Sequence, residues 1–400
     1  IKTKTGQKQK GIGVSFNSST AFETVLRLPD YQNQYGQGLN GEFAFKDGNG
    51  GGLRDGVDES WGPALGGQLI PQFDSPTSNG RRGADVGNLV NQIGPVDLNG
   101  QLNARGSINA TPFVAQPNNI ADFFEVGKLY TNNLALTGSN DKSDFRLSFT
   151  SLNQTGIVPN TDLNRYTTSF NGGYNLTDKF NVRLNANYIN NVSGNRPNLS
   201  YGTENIMYLF NCWFPRDINM ASLRDYWQAG REGLNQFNFN YNYHDNPYFN
   251  VYENTNGQSL DRVFGNITLN YDILPSLKVM LRSGTDINNE FRDRKRAYST
   301  QRFRLGSYRE EKIASRESNS DFLVTYAPET NGDISYTVAL GGNRMNQSYN
   351  SSDVSAPELA VPGIYSLNNS RVAIQSFAFN SRKRINSMYA FTNLGYQNFL

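Results

Sequence analysis

The chain has 400 residues, with Lys+Arg 37 against Asp+Glu 35, 37% hydrophobic, 18% charged and 12% aromatic residues. That balance excludes a nucleic-acid binder built on one basic face; the only basic runs are Arg292–Arg296 and Arg382–Arg384. The aromatic content argues against a disordered chain. One cysteine, Cys212, excludes an intrachain disulfide and a cysteine-built metal cluster.

No run of about 18 apolar residues is present, so no transmembrane helix is expected. Strand alternation recurs instead. Ten strands are predicted, in chain order, at 14–23, 131–138, 145–152, 165–175, 179–190, 262–272, 277–287, 320–327, 333–343 and 387–397. Each is near the roughly 9–11 residues that a tilted strand needs to cross a bilayer. In Phe180–Asn190, Val182, Leu184, Ala186 and Tyr188 face one way, and Asn181, Arg183, Asn185 and Asn187 the other. One face of carbon and one of hydrogen-bonding groups require two different solvents. Helical candidates are limited to Asn205–Phe210 and Ala221–Arg231.

The connections alternate in length. Short turns are expected near Gly138–Ser143, Asn175–Lys179, Asp272–Ser276 and Pro328–Gly332. Long loops are expected near Thr24–Tyr130, Asn153–Asn164, Asn191–Asp261, Asn289–Asn319 and Met345–Ile385. Turns at one end and loops at the other characterise outer-membrane barrels. A soluble β-sandwich gives no reason for that regularity. The absence of an initiator Met and of any terminator at Leu400 reads as an internal piece of something longer.

Specific residues then carry a resemblance. Ile1–Gly6 followed by Val14–Ser19 resembles the plug–barrel junction of SusC-like (SusC/RagA) TonB-dependent transporters. Trp61-Gly62-Pro63 ahead of Gly67-Gln68 is similar to that family's Trp-Gly-Pro loop, although Gly66 stands where the family has Asp. Pro117-Asn118-Asn119-Ile120 resembles a signature ahead of the second strand, and Asn153–Thr161, Leu176–Lys179 and Pro357–Gly363 resemble later segments. The resemblance implies an all-β fold, an antiparallel transmembrane β-barrel of 22 strands closed by a plug. About ten strands and long extracellular loops would be present here. Residues 1–12 would end the plug, and 13–400 would begin the barrel. The same resemblance implies outer-membrane import of oligosaccharides or peptides under a SusD-like lipoprotein lid. TonB would supply the drive through parts that this sequence does not contain.

Several residues are candidates for chemistry. His244, the only histidine, sits in the turn-like Tyr241–Pro247 and is expected to be a solvated or packed loop residue, so no enzyme is predicted. Asp47–Gly52, continuing to Asp58, partly echoes an EF-hand loop. Gly51 replaces an oxygen ligand and Asp58 the closing Glu, leaving a glycine loop with calcium as the one candidate cofactor. Tyr174, Phe180, Tyr188, Tyr271, Tyr326 and Tyr396 are expected as interfacial girdle residues against outer-membrane lipid. Trp213, Phe214, Tyr241, Tyr243 and Tyr248 are the candidate contacts for cargo or lid, because aromatic planes beside Asn and Asp suit sugars or peptides. Two competing classes remain: a soluble extracellular glycan-binding β protein, and an outer-membrane adhesin or structural barrel.

Overall fold

The computed structural model describes residues 9–86, 98–199, 201–329 and 332–397. In chain order the elements are β1 (Gln9–Glu23), β2 (Gly66–Ile70), α1 (Leu98–Arg105), β3 (Thr111–Val114), β4 (Gly127–Ser139), β5 (Ser143–Thr155), β6 (Asp162–Thr177) and β7 (Phe180–Ser193). There follow α2 (Ile206–Cys212), α3 (Pro247–Glu253), β8 (Asn256–Leu274), β9 (Leu277–Thr300), β10 (Phe303–Tyr326), β11 (Ile334–Ala356) and β12 (Gln375–Tyr396). Ten of these strands form one antiparallel sheet in the order β1-β4-β5-β6-β7-β8-β9-β10-β11-β12, and β2 pairs only with β3. Every predicted strand lies, to within a residue, inside a strand of the large sheet. Of the expected plug end, residues 1–8 lie outside the described residues and Gln9–Ile12 run in β1.

The register joins the alternation of single strands into two continuous faces. One row crosses Phe16, Leu134, Phe149, Thr168, Tyr188, Val263 and Ile287. A second crosses Tyr174, Val182, Leu269, Leu281, Phe322, Gly342 and Met388. These side chains share the apolar face. The face stays open: Leu147 is 40%, Phe149 47%, Ile267 43%, Leu281 49% and Leu340 48% exposed. No second sheet covers it among the described residues. Tyr174, Tyr271, Tyr326 and Tyr396 border it toward the short turns, with Phe180 edge-on to Tyr271 at 5.9 Å. Tyr188 borders it toward the loops, as do Tyr130 and Tyr166.

The lengths of the connections differ from expectation in one respect. Asn289–Asn319 is no loop: β9 and β10 continue through it to a two-residue turn at Gln301-Arg302. Likewise β11 and β12 run on, so the connection expected at Met345–Ile385 shrinks to 357–374, and that at Asn153–Asn164 to 156–161. The reason is solvent. Beyond the apolar belt both faces of a strand are wet, so Arg, Asp and Glu can fill either face and the alternation that marks a strand vanishes. Ion pairs such as Arg292–Glu311, 3.2 Å apart, hold those extensions together. Of the helical candidates, Ala221–Arg231 yields only a 3-10 turn at Ala221–Leu223.

The aromatic core lies off the sheet. Phe43, Phe45, Phe73, Phe113 and Phe123 from the segment between β1 and β4 pack against Phe210, Phe214, Phe237, Phe239 and Tyr248 from the segment between β7 and β8. Two loops thus fold into one module at the loop end of the sheet.

Candidate functional site

The polar face is the first part of the site. Its residues come from the alternate positions of the same strands, which the register brings into lateral rows. Asp144 on β5, Gly173 on β6 and Arg183 on β7 form one row. Arg183 donates to Asp144 at 3.0 and 3.3 Å across the glycine, where a Cβ would sit 2.7 Å from the guanidinium. Arg282 pairs with Asp321 at 3.1 Å, and Arg262 with Asp286. Arg183, Arg282, Asp286 and Asp321, with Asn185, Asn266, Glu317 and Asn343, line an open groove of about 650 Å³. It offers donors and acceptors of both charges side by side, a surface for polar, hydrogen-bonding cargo.

A second recess of about 360 Å³ lies where the segment after β7 meets β8 and β9. Arg196, Glu204, Asn256, Arg292 and Arg294 line it. Arg292 is paired with Glu290 at 2.6 Å, and Arg296 with Glu204. Arg294 makes no ion pair among the described residues; burial and the Arg309 and Arg296 guanidiniums push its pKa down, against the pull of the Glu311 and Glu204 carboxylates. A guanidinium without a direct carboxylate partner in a recess suits a carboxylate.

The module above these grooves contains the aromatics singled out in the sequence. Phe214, Tyr241 and Tyr248 are buried in its core and reach no surface. Packing, the simpler use of such residues, accounts for all three. Tyr241 is tied down further: its hydroxyl accepts from Gln228 at 2.8 Å and donates to the Ala84 carbonyl at 3.1 Å. Tyr243 is 50% exposed, and Trp213 is partly buried against the core with its ring 6.2 Å from His244. Of the five, Tyr243 and Trp213 are therefore the ones a bound molecule could meet.

His244 is packed. Its Nε2 lies 2.7 Å from Asp58 Oδ2, joining the two segments of the module. The oxygens of the glycine loop also have partners. Asp55 accepts from the backbone N–H groups of Lys46, Asp47, Gly48 and Gly52 at 2.9–3.0 Å. Asp47 Oδ1 accepts from Asn49 and Gly51. These carboxylates cap a backbone turn. No group of three or more acidic, His or Cys side chains is set to hold a metal among the described residues.

The motif positions are structural joints. Gly62 N donates to Gly36 O at 3.1 Å and Trp61 N to Gly38 O at 3.0 Å, and a Cβ on Gly62 would stand 1.9 Å from the Gln37 carbonyl. Only glycine allows that approach. Trp61 itself is exposed, and Gly36 N donates to the Pro63 carbonyl at 3.2 Å. Asn119 is buried and donates to the Pro215 and Ile218 carbonyls at 2.9 and 3.1 Å. Asn118 and Pro117 take part through their carbonyls, which accept from Asp122 N and from Arg216.

Two buried acids in the module have shifted ionisation. Burial pushes Asp217 up to about 6, against the opposing pull of the Gln37 N–H that donates to it at 2.6 Å. Burial likewise pushes Asp245 up to about 6, although Gln236 Nε2 and Gln301 N both donate to its Oδ1. Sequence reasoning missed both acids, and it missed the rows of the polar groove, because each needs the register or the fold to bring partners together.

No family model matches the chain, and no curated protein matches it. Solved structures do. Over 99% of its length the chain aligns, at 14% identity and a TM-score of 0.63, with 42% of a chain in a structure of the RagAB peptide transporter. The fold is similar to RagAB's. The RagAB peptide importer in its "closed-closed" state gives a TM-score of 0.61 at 14% identity, covering 98% of this chain and 41% of that one. In its "open-open" state the values are 0.59, 15%, 99% and 41%. The chain thus spans less than half the length of the RagAB chains it matches. The ten-stranded antiparallel sheet is shared with these β-barrel transporters.

Proposed function

We propose that this chain forms part of the wall of an outer-membrane nutrient importer, a SusC-like transporter that works with TonB and a SusD-like lipoprotein lid. The observation that carries the reading is the two-solvent sheet: an uncovered apolar face with aromatic borders, backed by a face of paired Arg, Asp and Asn. Lipid meets the first and a water-filled lumen the second. The likeness to RagAB supports the transporter role. A barrel has no energy source of its own, so the proton gradient acting through TonB supplies the work. No bond is made or broken by this chain.

Between oligosaccharide and peptide cargo, the groove favours peptides. Alternating guanidinium and carboxylate groups, with the unpaired Arg294 above them, match backbone amides and charged termini better than neutral hydroxyls. A soluble glycan-binding protein needs a second sheet over the apolar face, and an adhesin barrel needs no cargo. The test is extraction of the native complex from outer membranes in mild detergent, followed by mass spectrometry of everything that co-purifies. Recovery with a lipoprotein and bound peptides supports the importer. Recovery in the soluble fraction, or in membranes without partner or cargo, overturns it.

A further inference from the structure

Most cationic side chains on the polar face have an acid beside them: Arg183 with Asp144, Arg262 with Asp286, Arg282 with Asp321, Arg292 with Glu290 and Arg309 with Asp353. The opposite face carries a group that does not. Past the apolar positions Phe322 on β10, Leu340 and Gly342 on β11, and Met388 on β12, the next outward rows are Ser320–Arg344–Asn386, Ser318–Asn346–Arg384, Arg316–Ser348–Arg382 and Ala314–Asn350–Asn380. Arg316, Arg344, Arg382 and Arg384 are exposed there. None of these rows contains Asp or Glu, and none of the four arginines makes an ion pair among the described residues. Neighbouring strands lie about 4.8 Å apart, so arginines on β10 and β12 face each other across a single strand. Two such spacings are close to the roughly 8 Å over which physiological salt screens charge, so the site calls for an anion.

Neutral neighbours orient two of these guanidiniums. Arg384 Nε donates to Asn346 Oδ1 at 2.8 Å, and Arg316 Nε to Ser318 Oγ at 3.4 Å, leaving the terminal nitrogens of both without a partner among the described residues. Between them lies an open groove of about 530 Å³, lined by Arg316, Ser318, Asn346, Ser348, Arg382 and Arg384. The level is informative. On β11 the apolar outward positions run from Ile334 to Gly342, about the length a tilted strand uses to cross a bilayer, and Arg344 is the next outward residue. The groove therefore sits at the depth of lipid headgroups on the loop side.

The geometry points to a lipid-binding site on the outer face of β10–β12, in which Arg316, Arg382 and Arg384, flanked by Arg344, grip the phosphate groups of an anionic lipid headgroup. Guanidinium forks match phosphate oxygens, and Ser318, Asn346 and Ser348 add neutral hydrogen bonds suited to headgroup hydroxyls. This inference rests on the reading of the chain as a membrane-spanning wall.

The test uses the full-length protein from outer membranes, wild type against Arg382→Gln/Arg384→Gln and Arg382→Lys/Arg384→Lys. Native mass spectrometry reports phosphorylated lipid that stays bound through detergent exchange. Rebinding is measured with nanodiscs containing a phosphate-monoester lipid, nanodiscs of phosphatidylcholine alone, and inorganic phosphate. The wild type should retain phosphorylated lipid and rebind it in a salt-sensitive way. The Gln pair should lose about thirtyfold, at roughly fivefold for each arginine, and the Lys pair, which keeps the charge but not the fork, should fall between the two. Equal retention by the Gln pair overturns the site, and so does inorganic phosphate binding as tightly as lipid, which would assign the groove to a soluble anion. Heat-dependent gel mobility and membrane fractionation, read in parallel, keep the two questions apart. A chain absent from membranes sinks the importer reading, whereas an inserted barrel with unchanged lipid retention sinks only this site.

Discussion

Arg216 directs its guanidinium onto Oδ1 of Asn119, while Nδ2 of the same asparagine donates to the Pro215 and Ile218 carbonyls. One amide thus closes the segment before β4 onto the segment after α2, and all three of the residues it meets there are buried. Replacing it with Ala takes one acceptor from the buried Arg216 guanidinium, which keeps Asn33 and the Pro117 carbonyl, and removes the side-chain donor from two buried carbonyls. Asn119→Ala should destabilise the loop module by about 1–3 kcal/mol. Limited proteolysis would then cut within 24–86 and 206–255 faster than in the wild type, with the strands still protected. Unchanged proteolysis would show that the joint is redundant.

Asp217 links the same two segments through Gln37, and its acidity gives the module a pH dependence. Its folded pKa of about 6 lies above its ordinary value of 3.8, so the folded state holds the proton more tightly. Stability from this group is complete below pH 4 and is lost as pH rises toward 6, by at most about 3 kcal/mol. Asp245 acts in the same direction. Hydrogen exchange across the module should therefore quicken between pH 4 and 6 beyond its intrinsic rise and then level off. Asp217→Asn should flatten the Asp217 share of that curve.

Gly265 sits in β8 opposite Ala186, where a Cβ would lie 2.1 Å from the Asn185 carbonyl oxygen. Backbone cannot yield there as a flexible side chain would. Gly265→Ala should cost about 1–3 kcal/mol and lower the fraction of folded protein. A yield equal to the wild type would mean that the β7–β8 pairing relaxes more easily than its register implies.

Arg282 tests the groove as a cargo surface. It pairs with Asp321 and shares the groove with Asp286 and Glu317. Arg282→Glu places like charges together and should lower peptide uptake roughly tenfold or more. Surface expression, followed by labelling the loops, should stay near the wild-type level. Uptake that is unaffected would remove this groove from the path.

How much of this is legible in the sequence depends on which solvent writes the pattern. The strands through the belt are readable because one apolar and one polar surrounding impose a strict period of two, as in Val182–Tyr188. Above the belt the same strands become invisible: Arg292–Arg296 looks like a loop because both faces are wet. The module is illegible for another reason. Phe43, Phe113 and Phe239 follow no period, and each meets its partners only across long stretches of chain. One signal is present in the sequence all the same. Asn246-Pro247 reads as a turn, yet it starts α3: Asn246 Oδ1 accepts from Tyr248 and Phe249 N–H, and Pro247 takes the first helical position. The loop aromatics stand out for cargo or lid, but their role is mainly internal, because a loop of that size must build a core of its own.

The turn at Gln301-Arg302 ends the longest hairpin of the sheet against the module, with Gln301 half-buried on it and Arg302 exposed. Gln236 reaches the Ser299 carbonyl at 2.7 Å, Asp245 receives the Gln301 N–H at 2.9 Å, and Gln301 Nε2 donates to the Tyr241 carbonyl at 2.6 Å. Arg296 adds a further tie to Glu204. A structure moored in this way to a stiff mast does not swing as a flap. On the proposed importer reading, traffic past it would be regulated by a separate moving body, with this module as the fixed doorframe against which that body closes.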